Sequence, residues 1–228
     1  MDSLREILPL VQAAPPEVQR ALLVRLRELH PIHPLEESWG VPAEVILEAI
    51  SRSSDLSQRG VRGLIAEAYF EQRVLPMHRE LTSETPPGNH AYDFLLGRGP
   101  ERVRIQVKSQ RRKAGRPMTA KEGYRRFSQH KLVVETQKTR AGTDNRGAST
   151  RPYRFGEFDI LAVSMEASTG DWTQFRYTVA RWLLPHPDDS TRVLKFQPVS
   201  LQPDDDWTDD LNAAIDWFIR GEEKQIQT

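Results

Sequence analysis

The chain has 228 residues, with 32 basic side chains, 32 acidic side chains and no cysteine. A chain of this length can bury a substantial core, so we expect one domain over residues 1–228. The lack of cysteine excludes disulfides and thiolate metal sites, as is typical of a reducing cytoplasm. No stretch approaches the ~20 apolar residues of a membrane span, and the start lacks a secretory pattern, so we expect a cytoplasmic protein without membrane contact.

The net charge of zero averages two opposite regions of the sequence. Residues 101–154 hold 16 Lys and Arg against four acids, a local net charge of +12, so the remaining residues sum to −12. A basic block of this kind favours a surface that binds a polyanion. A solvated basic loop is the alternative interpretation of the same pattern.

The first 50 residues indicate short helices separated by prolines. The first, Val18 to Leu29, has four leucines at helical spacing, and the second follows Pro42. The leucines of the first are Leu22, Leu23, Leu26 and Leu29, and the residues of the second that are predicted to face inward are Val45, Ile46, Ala49 and Ile50. We expect residues 1–50 to be a helical subregion that is structural or forms a dimer.

A longer helix is predicted from Leu56 to Leu75, after the capping sequence Ser53-Ser54-Asp55 and before Pro76. Glu67 interrupts its apolar pattern, because it lies on the stripe formed by Gly60, Leu64, Phe70 and Val74. A buried carboxylate needs a partner or a metal. An ion pair of Glu67 at the edge of the stripe is the alternative.

A β-hairpin is predicted next, with strands at Ala91–Leu96 and Val103–Lys108. If Gly99-Pro100 forms the turn, Asp93 lies opposite Gln106, and Lys108 follows two residues along the same face. The period of two then directs Arg104, Gln106 and Lys108 outward, and Val103, Ile105 and Val107 towards the core.

The later elements complete the prediction of the fold. Strands are expected at Lys131–Gln137, Phe158–Val163 and Phe175–Ala180, and a last helix directs Leu211, Ala214, Ile215 and Phe218 to one side. We interpret Asp204–Asp206 as an acidic cap of that helix, and Asp159 as a buried polar group with a partner, with a role in a site left open. The order of elements predicts an α/β fold with a mixed central β-sheet flanked by helices.

The hairpin brings together the groups that hydrolysis of a phosphodiester requires. Asp93 could bind a divalent cation, the Gln106 side chain and the Val107 backbone could add carbonyl oxygens, and Lys108 could orient a water or stabilise charge. His30 and His33 also have a spacing that a metal could use, but the prolines beside them disfavour a site there.

The spacing of these residues resembles a known family. Asp93, twelve intervening residues and Gln106-Val107-Lys108 resemble the Asp, spacer, (Asp/Glu)-x-Lys signature of PD-(D/E)xK nucleases, with Gln106 in place of the acid and Tyr92 in place of proline. The resemblance covers about half of the chain, Ser53 to Val163. It implies a restriction-endonuclease-like fold, a catalytic centre of Glu67, Asp93, Gln106 and Lys108, and Mg²⁺, with Mn²⁺ as a substitute.

The same resemblance implies a type II restriction enzyme that binds double-stranded DNA as a homodimer. Arg111, Arg112 and Lys113 follow the catalytic strand and are expected to contact phosphates. The polar loop after it is expected to read bases, because Arg, Asn and Gln make bidentate contacts to base edges. Its residues are Gln137, Lys138, Arg140, Asn145 and Arg146, and Arg151 and Arg154 are expected to contact the DNA backbone.

Two alternatives stay open. The first is a repair or modification-dependent nuclease of the same fold, which the glutamine variant mildly favours. The second is a non-catalytic DNA-binding protein.

Overall fold

The computed structural model describes residues 2–88, 90–138, 142 and 150–228. These residues divide into two compact units, 1–58 and 59–228. No helix among them is both long and apolar enough to cross a bilayer.

The first unit is helical, as predicted. Its helices are α1 (Asp2–Ala13), α2 (Pro16–Leu29), α3 (Pro34–Trp39), α4 (Ala43–Ser51) and the start of α5 (Asp55–Tyr69). Arg27 of α2 pairs with Glu36 of α3 at 2.7 Å and with Glu44 of α4 at 3.1 Å. The predicted inward orientation of Val45 and Ala49 is wrong, because both are exposed and only Ile46 and Ile50 of that set are partly buried in α4.

The second unit is built on a five-stranded sheet in the part of the chain that the structure describes. The strands of this unit are β1 (Thr82–Ser83), β2 (Phe94–Arg98), β3 (Glu101–Ser109), β4 (Arg112–Lys113), β5 (Arg116–Pro117), β6 (Leu132–Glu135), β7 (Ile160–Ser164), β8 (Phe175–Val179), β9 (Pro185–His186), β10 (Asp189–Val193) and β11 (Phe196–Val199). The sheet order is β1-β2-β3-β7-β8, and β3 and β7 are its parallel pair. The strands outside the sheet form the two-stranded ribbons β4–β5, β6–β11 and β9–β10.

Helices cover one face of the sheet. Residues 59–69 of α5, the π-helical turn Phe70–Val74 that follows it, and α8 (Leu211–Ile219) pack there against β3 and β7. The predicted hairpin is confirmed, because β2 and β3 pair with Arg98 opposite Glu101 and Phe94 opposite Ile105. The predicted mixed sheet flanked by helices is confirmed with it.

The other face of the sheet is covered by the β6–β11 ribbon, α6 (Ala120–Gly123) and the C-terminal segment. This layer packs on Leu161 and Val163 of β7 and contains Tyr153 and Phe158. Short helical turns, at Leu75–Met77, Glu166–Thr169 (α7) and Ala180–Trp182, connect the elements.

Three local predictions are wrong. Leu64 is not part of the buried stripe, since it is 65% exposed, whereas Phe70 and Val74 are buried as predicted and Ala66 is buried with them. The α-helix also ends at Tyr69, where the π-helical turn continues the chain. Asp210 caps α8 by accepting a hydrogen bond from the Asn212 backbone N–H at 2.9 Å, so Asp204–Asp206 is not the cap.

Candidate active site

The hairpin β2–β3 places Asp93 and Gln106 next to each other. Asp93 directly precedes β2, and its backbone N–H donates to the Ile105 carbonyl at 2.9 Å, which sets Asp93 opposite Gln106. The Asp93 carboxylate accepts hydrogen bonds from the Gln106 amide and from the Val107 backbone N–H, the second at 2.7 Å. The two residues predicted to act together therefore lie in contact.

The polar face of β3 is not at the surface, which corrects the predicted outward orientation. Gln106 is only 2% exposed, and Lys108 is partly buried. Tyr153 and Phe158 of the layer above cover this face, whereas Val103, Ile105 and Val107 fill the helical side as predicted. The candidate site is the buried space between the sheet and this layer, where Gln106 lies, and it is called the pocket.

Glu67 of α5 lies near enough to Asp93 and Lys108 for their charges to interact. Ser109 ties the helix to β3 through a 3.4 Å hydrogen bond from its hydroxyl to the Arg62 carbonyl. The sequence placed Glu67 here through its interruption of the apolar stripe, although the neighbours assigned to that stripe were partly wrong.

Burial dominates the electrostatics of the pocket. It raises the pKa of Glu67 to about 7, with the negative charge of Asp93 adding to the effect and Lys108 opposing it. Burial also raises the pKa of Asp93, against Lys108 and the two hydrogen bonds. The pKa of Lys108 is lowered by burial and partly restored by Asp93 and Glu67. Two carboxylates thus share a single ammonium group in a poorly solvated space.

Tyr153 is the site residue that sequence reasoning missed. Its hydroxyl donates to Oε1 of Gln106 at 3.0 Å, and the Lys108 ammonium lies 5.3 Å from the centre of its ring. Burial, followed by the charge of Asp93, raises its pKa, so the hydroxyl stays protonated. Tyr153 lies 47 residues from Gln106. No local spacing pattern links the two positions.

The predicted DNA-contacting residues lie on the layer beside the pocket, and most of those described have acidic partners. Their ion pairs are Arg111–Glu135 (3.4 Å), Arg112–Glu166 (2.7 Å), Lys113–Glu122 (3.4 Å), Lys138–Glu157 (2.6 Å) and Arg154–Asp189 (4.0 Å). Three of these acids, Glu157, Glu166 and Asp189, come from outside residues 101–154. The charge of the basic block is therefore partly neutralised in space.

The polar loop is only partly described. Gln137 forms a β-bridge with Pro152, and the Lys138 backbone N–H donates to the Arg151 carbonyl at 2.8 Å. The Lys138 ammonium lies 5.4 Å from the Tyr153 ring centre, so it is near the pocket. Arg140, Asn145 and Arg146 lie outside the described residues.

Two further groups have structural explanations. Asp159 accepts hydrogen bonds from the Arg104 backbone N–H, Nε and Nη2 at 2.6–2.9 Å, so it is the satisfied buried group that was predicted. His33 caps α3, because its Nδ1 accepts a hydrogen bond from the Leu35 backbone N–H at 3.1 Å.

A solved structure is similar to this chain. The chain is similar to a bacterial homing endonuclease, I-Ssp6803I, with 18% sequence identity, a TM-score of 0.36, and coverage of 64% of this chain and 80% of that chain. At that TM-score the likeness carries no conclusion about function. No family model matches the sequence, and no curated protein matches it.

Proposed function

We propose that this chain is a Mg²⁺-dependent endonuclease that hydrolyses double-stranded DNA at specific sequences, a type II restriction enzyme of the PD-(D/E)xK type with glutamine at the variable acidic position. The observation that carries the proposal is the hydrogen bond between Asp93 and Gln106, with Glu67 and Lys108 near enough for their charges to interact with Asp93. The pocket adjoins a layer of Arg and Lys residues, as a site for a polyanionic substrate requires.

The donors in the pocket suit a magnesium ion. No three acidic, histidine or cysteine side chains cluster into a metal site among the described residues, so carboxylates alone do not suffice. The Asp93 and Glu67 carboxylates, the Gln106 Oε1 and the Val107 carbonyl would hold the cation, since Mg²⁺ prefers oxygen ligands. The bound ion would supply Lewis acidity and a more acidic water.

The fit is supported by what these oxygens contact in the protein. The Gln106 amide nitrogen, which carries partial positive charge, donates both to Asp93 Oδ2 and to the Val107 carbonyl at 3.1 Å. Burial raises the pKa of Glu67, and repulsion by the negative charge of Asp93 adds to that rise. A cation would relieve that repulsion.

Lys108 would act on the reacting phosphate or on the attacking water. Its ammonium group is desolvated and lies against the Tyr153 ring, and it donates no hydrogen bond to the described residues. A charge held in place without a full set of partners can interact with an incoming oxyanion at little reorganisation cost. The negative charges of Asp93 and Glu67 favour the protonated form of that amine.

The proposal includes a homodimer, with the helices of residues 1–50 as its contact surface. These helices expose large apolar side chains, including Leu23 at 61%, Leu29 at 56% and Leu47 at 66%. Apolar surface of this extent favours association with another protein surface. Sedimentation of the wild type against Leu23→Glu tests this part independently of cleavage.

Incubation of the purified protein with plasmid and phage DNA, with and without Mg²⁺, tests the proposed activity. We expect discrete fragments that require the metal. A smear would instead indicate a nuclease that is not specific for sequence, and cleavage limited to modified or damaged DNA would indicate the repair or modification-dependent alternative. DNA binding without cleavage would contradict the proposal and leave the non-catalytic protein.

A further inference from the structure

The Gln106 side chain is held in one orientation of its amide. Nε2 faces the oxygens of Asp93 and Val107, and Oε1 faces the Tyr153 hydroxyl. All of these contacts are within the pocket, where Gln106 is 2% exposed. Both ends of the amide are therefore satisfied by protein groups alone.

This orientation is the reverse of the one that a cation needs. A divalent cation is bound by the carbonyl oxygen of an amide, whereas here the NH₂ group faces the Asp93 carboxylate. A half-turn of the amide plane exchanges the two atoms with almost no change in shape. After that turn, Oε1 would join the oxygens of Asp93 and Val107, and Nε2 would face Tyr153.

Tyr153 can serve both orientations. A phenol hydroxyl donates one hydrogen bond and also accepts, so it can donate to Oε1 in one state and accept from Nε2 in the other. A buried amide end without a partner is costly, which makes this second function necessary for the turned state.

The position of the hydroxyl is fixed by its surroundings. Tyr153 is 4% exposed, and its ring packs edge-on against Phe158 with centres 5.2 Å apart. The ammonium groups of Lys108 and Lys138 lie 5.3 and 5.4 Å from the ring centre. The hydroxyl therefore stays beside Gln106 whichever end of the amide it meets.

We propose that Tyr153 is a positioning residue, whose hydroxyl allows the Gln106 amide to turn over when the pocket binds a divalent cation. This inference rests on the proposed function, because it requires a metal-binding pocket. The amide of glutamine must turn to present oxygen to a cation. A carboxylate at the same position would not need to turn, since it presents oxygen at both ends.

A double-mutant cycle on Mn²⁺ affinity tests this role, measured without DNA by electron paramagnetic resonance of free Mn²⁺. We expect Tyr153→Phe to weaken Mn²⁺ binding about tenfold in the wild type, as loss of a group that orients a ligand does. In Gln106→Glu, the same change should weaken binding about twofold or less. Tyr177→Phe is the matched control, because Tyr177 is 2% exposed on the opposite face of the sheet, and Mn²⁺ affinity should not change.

The side-chain amide of Gln106 gives a direct readout of the turn. Its ¹⁵N–¹H signals, assigned by their loss in Gln106→Glu, should shift on addition of Mg²⁺ in the wild type and much less in Tyr153→Phe. Equal losses of Mn²⁺ affinity in both backgrounds, with the wild type still cleaving DNA, would overturn the switch and leave the proposed function standing. A wild type that neither binds Mn²⁺ nor cleaves DNA would overturn both.

Discussion

The two ends of β3 carry similar charges on the same face and use them differently. Near its start, Arg104 meets Asp159 in an ion pair of 2.6 Å, and Asp159 accepts three hydrogen bonds. Four residues along the strand, the charge of Lys108 interacts with those of Asp93 and Glu67, but its ammonium donates no hydrogen bond to the described residues. We call the Arg104 cluster closed, because its charged groups are hydrogen-bonded to each other. We call the Lys108 cluster open, because its ammonium group has hydrogen-bonding capacity left for a ligand.

This difference separates a structural from a functional polar cluster. In a closed pair, hydrogen bonds offset the free-energy cost of desolvation, and no donor or acceptor is left to bind water or a ligand. An open cluster keeps perturbed pKa values and unused hydrogen-bonding capacity, which are typical of active sites. Substitutions at the two ends of β3 should therefore affect different properties.

The largest expected effect is on DNA cleavage, from substitutions in the open cluster at the Lys108 end of β3. We expect Lys108→Ala and Asp93→Ala each to lower the rate of Mg²⁺-dependent DNA cleavage by at least ~10³-fold, since each removes a group that we propose to contact the metal or the reacting phosphate. The rate is measured on plasmid DNA at saturating protein, and circular dichroism checks that each variant is folded. Full cleavage by either folded variant would show that the site is assigned to the wrong residues.

Substitution at the closed end should change stability and spare the chemistry. Asp159→Asn leaves Arg104 without its charged partner, and we expect the free energy of unfolding to fall by ~2–3 kcal/mol, less than for a fully buried pair because Arg104 is partly exposed. Urea denaturation measures this, and Asp188→Asn, at an 88% exposed side chain, is the control with a change of ~0.5 kcal/mol or less. Unchanged stability with lost cleavage would instead place Asp159 in the active site.

The site could be predicted from the sequence where local periodicity determines geometry. The period of two and the two-residue turn at Gly99-Pro100 determine the register, so Asp93, Gln106 and Lys108 were found together. Glu67 was found because a charge interrupts an apolar helix pattern. The mixed sheet followed from the order of elements, which is also a local property of the chain.

The remainder depends on contacts between distant parts of the sequence. Tyr153 reaches Gln106 across 47 residues, and the second layer that buries the polar face is built from short ribbons such as β6–β11. The acids that neutralise Arg112 and Lys138 are 54 and 19 residues away. The local spacing of apolar residues cannot determine such pairings, because the segments of the layer that brings them together show no regular periodicity in the sequence.

The basic residues around the pocket offer a smaller test, on DNA affinity. Arg112→Ala should weaken binding to all DNA sequences alike and lower the slope of log affinity against log salt concentration by ~0.9. Arg140→Ala and Arg146→Ala should instead reduce the difference in binding free energy between cognate and non-cognate DNA by ~1–3 kcal/mol. Binding is measured in Ca²⁺ at several salt concentrations. If the dependence of DNA affinity on salt concentration is unchanged in Arg112→Ala, the ion pair between Arg112 and Glu166 persists on DNA and Arg112 does not contact a phosphate.

The smallest expected effect concerns Glu67 in the metal-free protein. The folded state holds its proton up to a pKa of about 7, whereas the unfolded chain loses it near ~4.3. Between these values the folded state binds more protons, so this group destabilises the protein as pH rises from 5 to 8. Glu67→Gln removes that loss, and we expect its free energy of unfolding at pH 8, in EDTA, to exceed that of the wild type by ~1–2 kcal/mol, after allowance for partial exposure.

The same variant should lose most of its cleavage activity, because the amide that stabilises the protein in EDTA is a weaker metal ligand than the carboxylate. Glu71→Gln, at an exposed position one turn further along, is the matched control and should change neither property. Urea denaturation at pH 5 and pH 8, beside plasmid cleavage in Mg²⁺, measures both. A variant as active as the wild type, with the same dependence of stability on pH, would mean that Glu67 is an ordinary surface carboxylate. A gain in stability with a loss of activity would mark it as a group retained for metal binding at the expense of stability.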